Sequence, residues 1–524
     1  MDIIYSLLSL RSQLFRSQTP ILIIQNVLNG LLGLVGLFFI TRYFPVSWDI
    51  ISFGIGFVGI FTFISDLGYS QAYIRGLSSG EPEGEANSTY LFVKFVLGGI
   101  FIAITIGSLF FVTEILHIGF QYPVEYWVIL GLIPYYFFSG FVAFFQSFYR
   151  AKYSTARYAI PTIAEALVRN SIFILIGVTA AFHFALFSDV FAAILLSITY
   201  DVTYSIFIFL YYFYGRPWKF SKFSFQTFKS YTKIALPLSI VIAVAAINGN
   251  VDKVIIQFFW HGNATGGFYL DQRLATVLIS FATSLTIFFL PILSSLHKNG
   301  AAHKVNDTVN EFEKMVLIIV LPFAVTTSLL SYYIVNIFNA TYLPYAIILA
   351  PLSMSAVFGA LTVPSSSALI AKNKASTIAK LTSSAVVVNI ALNLLLIPPS
   401  IFGISYLSLG PLGGGVSNLV ANITLYTGYR ISLYRVSHTV LDRSVVLPIV
   451  PALVQSIFLL AVLFIYPPLR IYVLVPVAVI GVAIFLGVIV LTRQLELRDL
   501  IVFARNVLNP FHISNSLKTE RRQE

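Results

Sequence analysis

The sequence predicts an all-α polytopic membrane protein of about fourteen transmembrane helices. Three observations predict this fold class. Hydrophobic residues make up 58% of the 524-residue chain and charged residues only 10%, whereas about a quarter of the residues of a soluble protein are charged. The mean hydropathy is +0.87, and apolar runs recur along the whole chain. The net charge of +11 comes from short loops between these runs, so we expect no nucleic-acid partner.

Each predicted span is an apolar run of roughly 20 residues that ends where charged, Gly, Pro or Asn residues cluster. The third, sixth and tenth runs are long enough to cross the bilayer at a tilt. The first sixteen residues are polar and precede no short apolar region with a cleavage site, so we expect no cleaved signal peptide. The fourteen predicted spans are Thr19 to Thr41, Trp48 to Asp66, Tyr90 to Leu116, Val124 to Phe148, Tyr158 to Phe182, Phe187 to Tyr214, Ile234 to Trp260, Phe268 to Leu290, Met315 to Phe338, Tyr342 to Ile370, Ser376 to Ile397, Gly403 to Tyr429, Ser444 to Tyr466 and Ile471 to Thr492.

The distribution of Lys and Arg between alternate loops supports this division, because cytoplasmic loops carry an excess of basic residues. Twenty-six of the 32 basic residues lie on the side shared by both termini, and two, Arg42 and Arg470, lie on the other side. A missed or invented span would scramble this bias from that point onward. We therefore predict an even number of spans in the cell membrane, with both termini cytoplasmic. The remaining four basic residues fall within or at the ends of spans: Lys94, Arg169, Lys253 and Arg273.

An internal repeat organises the spans. Ala151-Lys152-Tyr153 precedes a span carrying Arg169, and Ala371-Lys372-Asn373 precedes a span carrying Asn389, so the offset is 371 − 151 = 220. Six spans separate the copies, and an even number makes the repeat parallel, with a pseudo-two-fold axis along the membrane normal. We therefore predict two six-helix lobes plus two C-terminal helices. The predicted boundaries are 1–220 and 221–432 for the lobes, and 433–524 for the last helix pair with a basic cytoplasmic tail.

The motifs of soluble enzymes do not account for the chain. Gly54-Ile55-Gly56-Phe57-Val58-Gly59 is a literal G-x-G-x-x-G, but it lies inside an apolar run and not between a strand and a helix. We interpret it as small residues that let two helices pack closely. The sequence has no G-x-x-x-x-G-K-S/T, no H-E-x-x-H and no Cys. Glu81, Glu83 and Glu85 fall in a loop that we expect to be solvated, so we expect no enzyme, metal site or cofactor.

Charged residues inside the spans are the most informative, because a charge in hydrocarbon needs a partner or a wet cavity. Glu165 and Arg169 are four residues apart and lie on one helix face, where they can pair. The pair is either purely structural or part of a binding site. Asp252 and Lys253 follow Asn248-Gly249-Asn250 on the seventh span. Because neighbours point about 100° apart on a helix, one can face a cavity while the other bonds a neighbouring helix.

Other intramembrane charges have simpler explanations. Asp271 and Arg273 open the eighth span, where reaching the headgroups explains at least one of them. Lys94 lies near the cytoplasmic end of the third span, where its side chain can also reach the headgroups. For Asp201, inside the sixth span, a buried hydrogen-bonded role and a cation or proton site agree equally well with the sequence.

Short motifs occur in a fixed order between Thr19 and Tyr429. They are Arg42-Tyr43-Phe44-Pro45 with Gly54; Ser65-Asp66-Leu67-Gly68-Tyr69 with Arg75; Asn250-Val251-Asp252 with Gly266-Gly267-Phe268-Tyr269; Pro364 to Lys374 with Asn389 and Asn393; and Pro398-Pro399 before Gly413-Gly414-Gly415-Val416-Ser417. In this order the chain resembles the polysaccharide exporters of the multidrug/oligosaccharidyl-lipid/polysaccharide superfamily, the lipid-linked oligosaccharide flippases. It departs from them at Gly266, where the family more often has a Val-Gly-x-Tyr turn. The family's two six-helix lobes with an optional final helix pair agree with the predicted repeat.

The resemblance implies that a polyprenyl phosphate- or diphosphate-linked oligosaccharide moves from the cytoplasmic to the outer leaflet by alternating access. The implied partners are this lipid-linked oligosaccharide, the membrane lipids and glycan-assembly enzymes. Arg169 and Lys253 are the first candidates for phosphate contacts, followed by Arg273 and Lys94, and the planar Arg fork suits bidentate contact. The candidates for a sugar path are Gln25, Asn26, Asn248, Asn250, Asn389 and Asn393. The candidates for coupling to Na⁺ or H⁺ are Asp201 and Asp252.

Three alternatives belong to other classes. A multidrug/cation antiporter of the same superfamily would prefer an acidic, aromatic cavity, and the cations Arg169 and Lys253 count against it. A membrane glycosyltransferase or glycan polymerase would need acidic or His groups on sizeable outer loops, whereas these loops are short. A lipid II flippase of a sister branch would have the same fold and the same kind of binding site, so these residues do not distinguish it from the predicted oligosaccharide flippase.

Overall fold

The computed structural model describes residues 13–117, 120–152, 154–181, 188–214, 218–298, 302–372, 374–401, 404–467, 470–492 and 494. The expectation of an uncleaved polar N-terminus and most of the predicted basic tail lie outside the described residues. Within them, eleven helical stretches are long and apolar enough to cross a membrane, and a shorter apolar stretch covers Leu28–Tyr43. Each of the fourteen predicted spans overlaps one helix or two successive helices. The chain is therefore an all-α multi-pass membrane protein, as the sequence predicts.

The described residues form two compact units. The N-terminal unit comprises residues 31–266, and the C-terminal unit comprises residues 267–494 with the residues before Leu31. The first helix, α1 (Gln13–Tyr43), contributes to both units. The other helices up to residue 260 are α2 (Pro45–Phe61), α3 (Tyr69–Ser78), α4 (Glu83–Phe110), α5 (Val124–Ala151), α6 (Thr155–Ala181), α7 (Asp189–Tyr214), α8 (Phe225–Asn248) and α9 (Val251–Trp260).

Helices also make up nearly all of the C-terminal unit. A two-stranded antiparallel hairpin, β1 (Ser400–Ile401) with β2 (Ile404–Ser405), is its small exception. The helices are α10 (Gly262–Lys298), α11 (Ala302–Leu329), α12 (Ser331–Phe338), α13 (Leu349–Ala371), α14 (Ala375–Leu396), α15 (Pro411–Ser437), α16 (Arg443–Val446), α17 (Ile449–Ile465) and α18 (Ile471–Leu491). Short 3-10 segments at Thr62–Ser65 and Ala340–Ile348, and a π segment at Phe111–Ile115, extend neighbouring helices.

The contact boundary at Gly266 places α8 and α9 in the N-terminal unit. The sequence repeat predicts a lobe boundary at residue 220 instead. Packing contacts and repeat symmetry are different criteria, so the predicted lobes stay a prediction. The packing has a local cause, because Gly68 adopts a left-handed turn (φ +89°) in which a Cβ would lie 2.9 Å from the Leu238 Cβ of α8.

The G-x-G-x-x-G run lies within α2, an unbroken helix that begins at Pro45. Its glycines let polar side chains of α9 and its preceding turn approach the helix backbone. A Cβ at Gly56 would lie 2.9 Å from the Lys253 Cβ, and one at Gly59 would lie 2.6 Å from the Asn250 side chain. Helix packing, and not nucleotide binding, therefore explains this motif.

Several predicted boundaries shift for identifiable reasons. The seventh predicted span is two helices, because α8 ends at Asn248 with Gly249 as its C-cap. It also starts nine residues earlier, at Phe225, where Ser224 caps the helix by accepting a hydrogen bond of 3.3 Å from the Thr227 amide. The twelfth span starts later than predicted, at Pro411, which occupies the first turn of α15.

The acidic loop at residues 81–85 is more ordered than the sequence predicts. Helix α4 begins at Glu83, so two of the three glutamates lie in its first turn, where a negative charge is favourable. Tyr231 donates a hydrogen bond of 2.7 Å to Glu81, and Thr227 donates to Glu85. The expectation of a loop is therefore wrong for Glu83 and Glu85, although all three glutamates stay partly exposed. These carboxylates hold the start of α8 against α4.

The membrane orientation predicts an asymmetric labelling result in this naturally Cys-free chain. Single cysteines at Ser221 and Asn263, both exposed, should react with a membrane-impermeant thiol reagent from opposite sides. Ser221 should be labelled only from the cytoplasm and Asn263 only from outside, as measured in intact and in opened cells. Labelling of both positions from one side would contradict the fourteen-span topology.

Candidate functional site

A partly accessible guanidinium lies at the centre of α6. The Nε of Arg169 donates to Glu165 Oε1 at 2.6 Å, so the predicted i, i+4 pair forms. The Glu165 side chain is 5% exposed and that of Arg169 is 23% exposed. Within the described residues, Nε makes the only hydrogen bond of this guanidinium. The two terminal nitrogens therefore keep donors for another ligand.

Aromatic side chains surround this guanidinium. Its central carbon lies 5.5 Å from the Tyr200 ring and 6.0 Å from the Phe173 ring. Tyr135 of α5 lies 4.9 Å from Tyr200 and 4.5 Å from Tyr204, both of α7. Rings next to a cation stabilise it in a site with little water. We call Glu165, Arg169, Tyr135, Tyr200 and Tyr204 the arginine cluster.

Asp201 follows Tyr200 on α7 and is half-buried. Its Oδ1 is buried and has no hydrogen-bond partner among the described residues. Its backbone carbonyl accepts from Ser205 within the same helix, at 2.8 Å. The Asp201 carboxyl also receives a backbone hydrogen bond from Tyr135, so the buried hydrogen-bonded role and the cation or proton site both stay predictions.

The seventh predicted span buries both of its charges. Asp252 is 0% exposed and Lys253 is 3% exposed, and Lys253 lies against Gly56 of α2. Asn250 donates 2.9 Å to the Ala246 carbonyl of its own chain. Asn248 keeps a buried Oδ1 without a partner among the described residues. In this conformation, α2 covers Lys253, whereas Arg169 is partly accessible.

The other predicted site residues lie in the C-terminal unit. Asn389 and Asn393 are buried and bonded to each other, with Asn393 Nδ2 donating to Asn389 Oδ1 at 2.8 Å. Gln25 is buried and Asn26 is half-buried on α1. Arg273 is exposed and stacks 4.8 Å from the Tyr269 ring.

Asp271 does not reach the headgroups, because it is 1% exposed and neither carboxylate oxygen has a hydrogen-bond partner among the described residues. The explanation that the side chain reaches the lipid headgroups is therefore wrong for Asp271. The exposure of Arg273 agrees with that explanation.

Lys94 is held by a second buried ion pair. Its Nζ lies 2.6 Å from Asp66 Oδ1 and 3.1 Å from the Ser65 carbonyl, and the residue is 3% exposed. Burial raises the pKa of the Asp66 carboxyl, but the Lys94 ammonium and the Ser70 donors outweigh it and hold that pKa below its ordinary value. Because the Lys94 ammonium already donates to the Asp66 carboxylate and the Ser65 carbonyl, it is poorly suited to bind a phosphate as well.

Two buried polar groups escape the sequence analysis. Glu313 of α11 is fully buried and lies 3.5 Å from Arg430 of α15. It also accepts from Ser365 at 2.7 Å and from Tyr426 at 2.9 Å. The sequence predicts a loop here, because the ninth span was expected to begin at Met315, whereas α11 begins at Ala302. The second group is Glu125 of α5, which is 1% exposed.

The structure thus brings together only part of the predicted site. Arg169 shares its surroundings with Tyr200, next to Asp201 in the sequence. Lys253 and Asn250 form a separate contact with α2. Asn389 and Asn393 form a pair of their own. No group of three or more His, Cys, Asp or Glu side chains in the described part of the chain could hold a metal ion.

Comparison with known proteins gives a family match. The family model described as "Polysaccharide biosynthesis protein" matches residues 16–297, which is more than half of the chain. No curated protein matches the sequence significantly. The family match confirms the resemblance to polysaccharide exporters.

Solved structures with the same fold are transporters. A structure of the lipid II flippase MurJ in an inward closed conformation is similar with a TM-score of 0.70 at 19% identity, over 91% of this chain and 99% of that chain. An inward-facing multidrug resistance MATE family transporter of the MOP superfamily has a TM-score of 0.61 at 15% identity, over 78% and 96%. A Vibrio cholerae MATE transporter has a TM-score of 0.52 at 16% identity, over 82% and 98%. At these identities the likeness shows the fold alone.

The Lys94–Asp66 pair predicts a stability effect that is separable from transport. Lys94→Met leaves Asp66 without its cation and should lower the free energy of unfolding by about 3 kcal/mol. Asp66→Asn in the same chain should restore most of that loss, as measured by a double-mutant cycle of thermal unfolding in detergent. Because the folded-state pKa of Asp66 is lowered, the stabilisation should hold at neutral pH and disappear as the pH falls through that pKa.

A transport assay of the double variant distinguishes the structural role of Lys94 from the predicted contact with a phosphate. The stable double variant should flip its cargo normally if Lys94 only pairs with Asp66. A stable double variant that no longer transports would return Lys94 to the cargo site.

Proposed function

The chain belongs to the polysaccharide biosynthesis protein family, and we propose that it is a flippase for a polyprenyl phosphate- or diphosphate-linked oligosaccharide. The cargo moves from the cytoplasmic to the outer leaflet by alternating access, without a covalent step. The fold shared with a lipid II flippase and with MATE transporters supports transport as the class of activity.

The observation that carries the proposal is the arginine cluster. Arg169 is partly accessible, and its terminal nitrogens make no hydrogen bond to the described residues. Glu165 holds the guanidinium through Nε alone, so it fixes the direction of the planar fork without using its two ends. A fork oriented in this way suits bidentate contact with a phosphate.

The chemistry of the cargo agrees with this cluster. Its phosphates are anions that must leave water, and a fixed cation offsets part of that desolvation. Its sugars need hydrogen-bonding groups, which the predicted asparagines provide, while the polyprenyl tail remains in the bilayer. A multidrug/cation antiporter would gain nothing from a guanidinium fixed inside the membrane. Lys253 is covered by α2 in this conformation, so its contact with the cargo belongs to another state of the cycle.

Removal of the Arg169 fork should abolish most of the transport. In reconstituted vesicles, Arg169→Ala should reduce flipping about 100-fold, since two hydrogen bonds to a charged group are lost, and Lys253→Ala should also reduce it, since it removes the second cation that we place in the cargo path. Arg169→Lys should recover only part of the rate, because an ammonium cannot reproduce the fork. The matched control is Arg150→Ala, which removes an exposed Arg of α5 that bonds Tyr158 at 2.8 Å.

A folding defect can be separated from a loss of binding. Arg169→Ala leaves buried Glu165 unpaired, so the double variant with Glu165→Gln removes both charges together. This double variant should insert and unfold normally but not flip. Normal flipping by a folded double variant would return the pair to a purely structural role. Assays with lipid II as the alternative cargo distinguish the lipid II flippase from the proposed one.

Energy coupling is a further part of the proposal. Asp201 and Asp252, two of the carboxyl groups inside predicted spans, are the candidates for coupling. Asp252 is fully buried next to Lys253, which suits a charge-balancing role. Asp201 is partly exposed and has an unbonded oxygen, which suits exchange of a Na⁺ or H⁺.

Asp201→Asn should make flipping in reconstituted vesicles insensitive to an imposed pH or Na⁺ gradient, while cargo binding remains unchanged. Asp252→Asn serves as the comparison and should retain the response. If the flipping rate of the unmodified protein does not change with either gradient, the coupling hypothesis is wrong, and the cargo moves down its own concentration gradient.

A further inference from the structure

The first turn of α5 buries a carboxyl group that the proposed function does not use. Glu125 is 1% exposed, although it is the second residue of its helix. Its Oε1 accepts a hydrogen bond of 2.9 Å from Gln257 of α9. Its Oε2 is buried and receives none from the described residues. The carboxyl therefore lies inside the protein with a single neutral side-chain donor.

No described cation balances this carboxyl. The ion pairs seen at Asp66, Glu83, Glu165 and Glu313 do not include Glu125. A carboxylate buried without a cation is unfavourable, because its donors, the Gln257 side chain and the backbone amides of Gln121 and Tyr122, are all neutral. The same group is tolerated when it holds a proton.

The ionisable groups near Glu125 on α2, on α7 and in the loop before α5 are acidic. Burial and the nearby carboxyls of Asp49, Glu125 and Asp189 raise the pKa of the Tyr122 phenol. Asp189, at the start of α7, accepts from the backbone amide of Ser47 at 2.8 Å. Asp49 is buried on α2. On α9 the residue in contact with Glu125 is the neutral Gln257, and the ionisable residues of this helix segment, Lys253 and His261, lie one turn to either side of it.

A buried polar chain connects Glu125 to α9 and α10. Thr265 donates 2.7 Å to Gln257 Oε1, and Gln257 donates to Glu125. Gln257 and Thr265 are both buried. Gln257 lies four residues after Lys253, so the two share a face of α9. The Glu125 contact is therefore one helical turn from a residue that we place in the cargo path.

Solvent is close to this chain. Gln121 is exposed, and a Cβ at Gly262 would lie 2.7 Å from its Oε1. His261 and Asn263 are also exposed. These residues lie on the face that the charge bias predicts to be outer. A proton can thus reach Glu125 from outside by a short local opening of the turn.

We propose that Glu125 is a proton-binding site that holds α9 against α5 when protonated and releases it when ionised. Ionisation places an unbalanced charge on Glu125 in the buried contact with α9. Separation of the two helices lets water solvate that charge. Proton binding itself is independent of the proposed flippase function, whereas the effect on transport rests on it.

Infrared spectroscopy of the purified protein tests proton binding without any cargo. Glu125→Gln should remove a protonated-carboxyl band from the spectrum at neutral pH. Glu114→Gln is the matched control, because Glu114 is an exposed glutamate in the Phe111–Ile115 segment before the same loop, and it should leave the band unchanged. Identical spectra of the unmodified protein and the Glu125→Gln variant would overturn the proposal.

Flipping at varied pH, kept equal on both sides of the membrane so that no gradient drives the coupling proposed for Asp201, tests the release of α9. The unmodified protein and the Glu114→Gln variant should change rate by up to about tenfold per pH unit, the limit for one proton. The Glu125→Gln variant, which cannot ionise, should not respond to pH. An equal response in all three would overturn the release step. Absence of flipping in every protein, with the infrared band present, would reject the flippase function and leave the proton site standing.

Discussion

Pairing of charges inside a low-dielectric environment is the constraint on which the rest of this structure depends. Lys94 pairs with Asp66, Arg169 with Glu165 and Arg430 with Glu313. Two of these pairs join separate segments of the chain, so each fixes the register of one helix against another. Because the loss of one partner strands the other in hydrocarbon or protein, the fold cannot rearrange without breaking these pairs or moving them as units.

Close approach of helix backbones completes this arrangement. The glycines of α2 allow Lys253 and Asn250 to lie directly against the helix, and Gly36 of α1 would place a Cβ 2.5 Å from Asn170 Oδ1 of α6. Polar side chains packed on glycine are shielded from lipid by protein atoms. The small residues therefore serve both packing and the burial of polarity.

The same physical rule separates cations that hold the fold from a cation that is suited to bind a ligand. The Lys94 ammonium contacts two acceptors and is buried. The Arg169 guanidinium is fixed through one nitrogen, lies among aromatic rings and remains partly accessible. A planar five-donor group can be anchored at one edge and still bind at another, which a lysine cannot do to the same extent.

Composition and charge distribution alone determined the fold class and the fourteen helices, because a bilayer requires long apolar segments and cytoplasmic loops collect basic residues. Spacing along one helix likewise predicted the Glu165–Arg169 pair. Only the tertiary structure decided that Lys94 meets Asp66 and that Glu125 meets Gln257, which is 132 positions away. Periodicity specifies neighbours within a helix, whereas contacts between helices depend on which faces pack together, and a single sequence does not encode that in any local pattern.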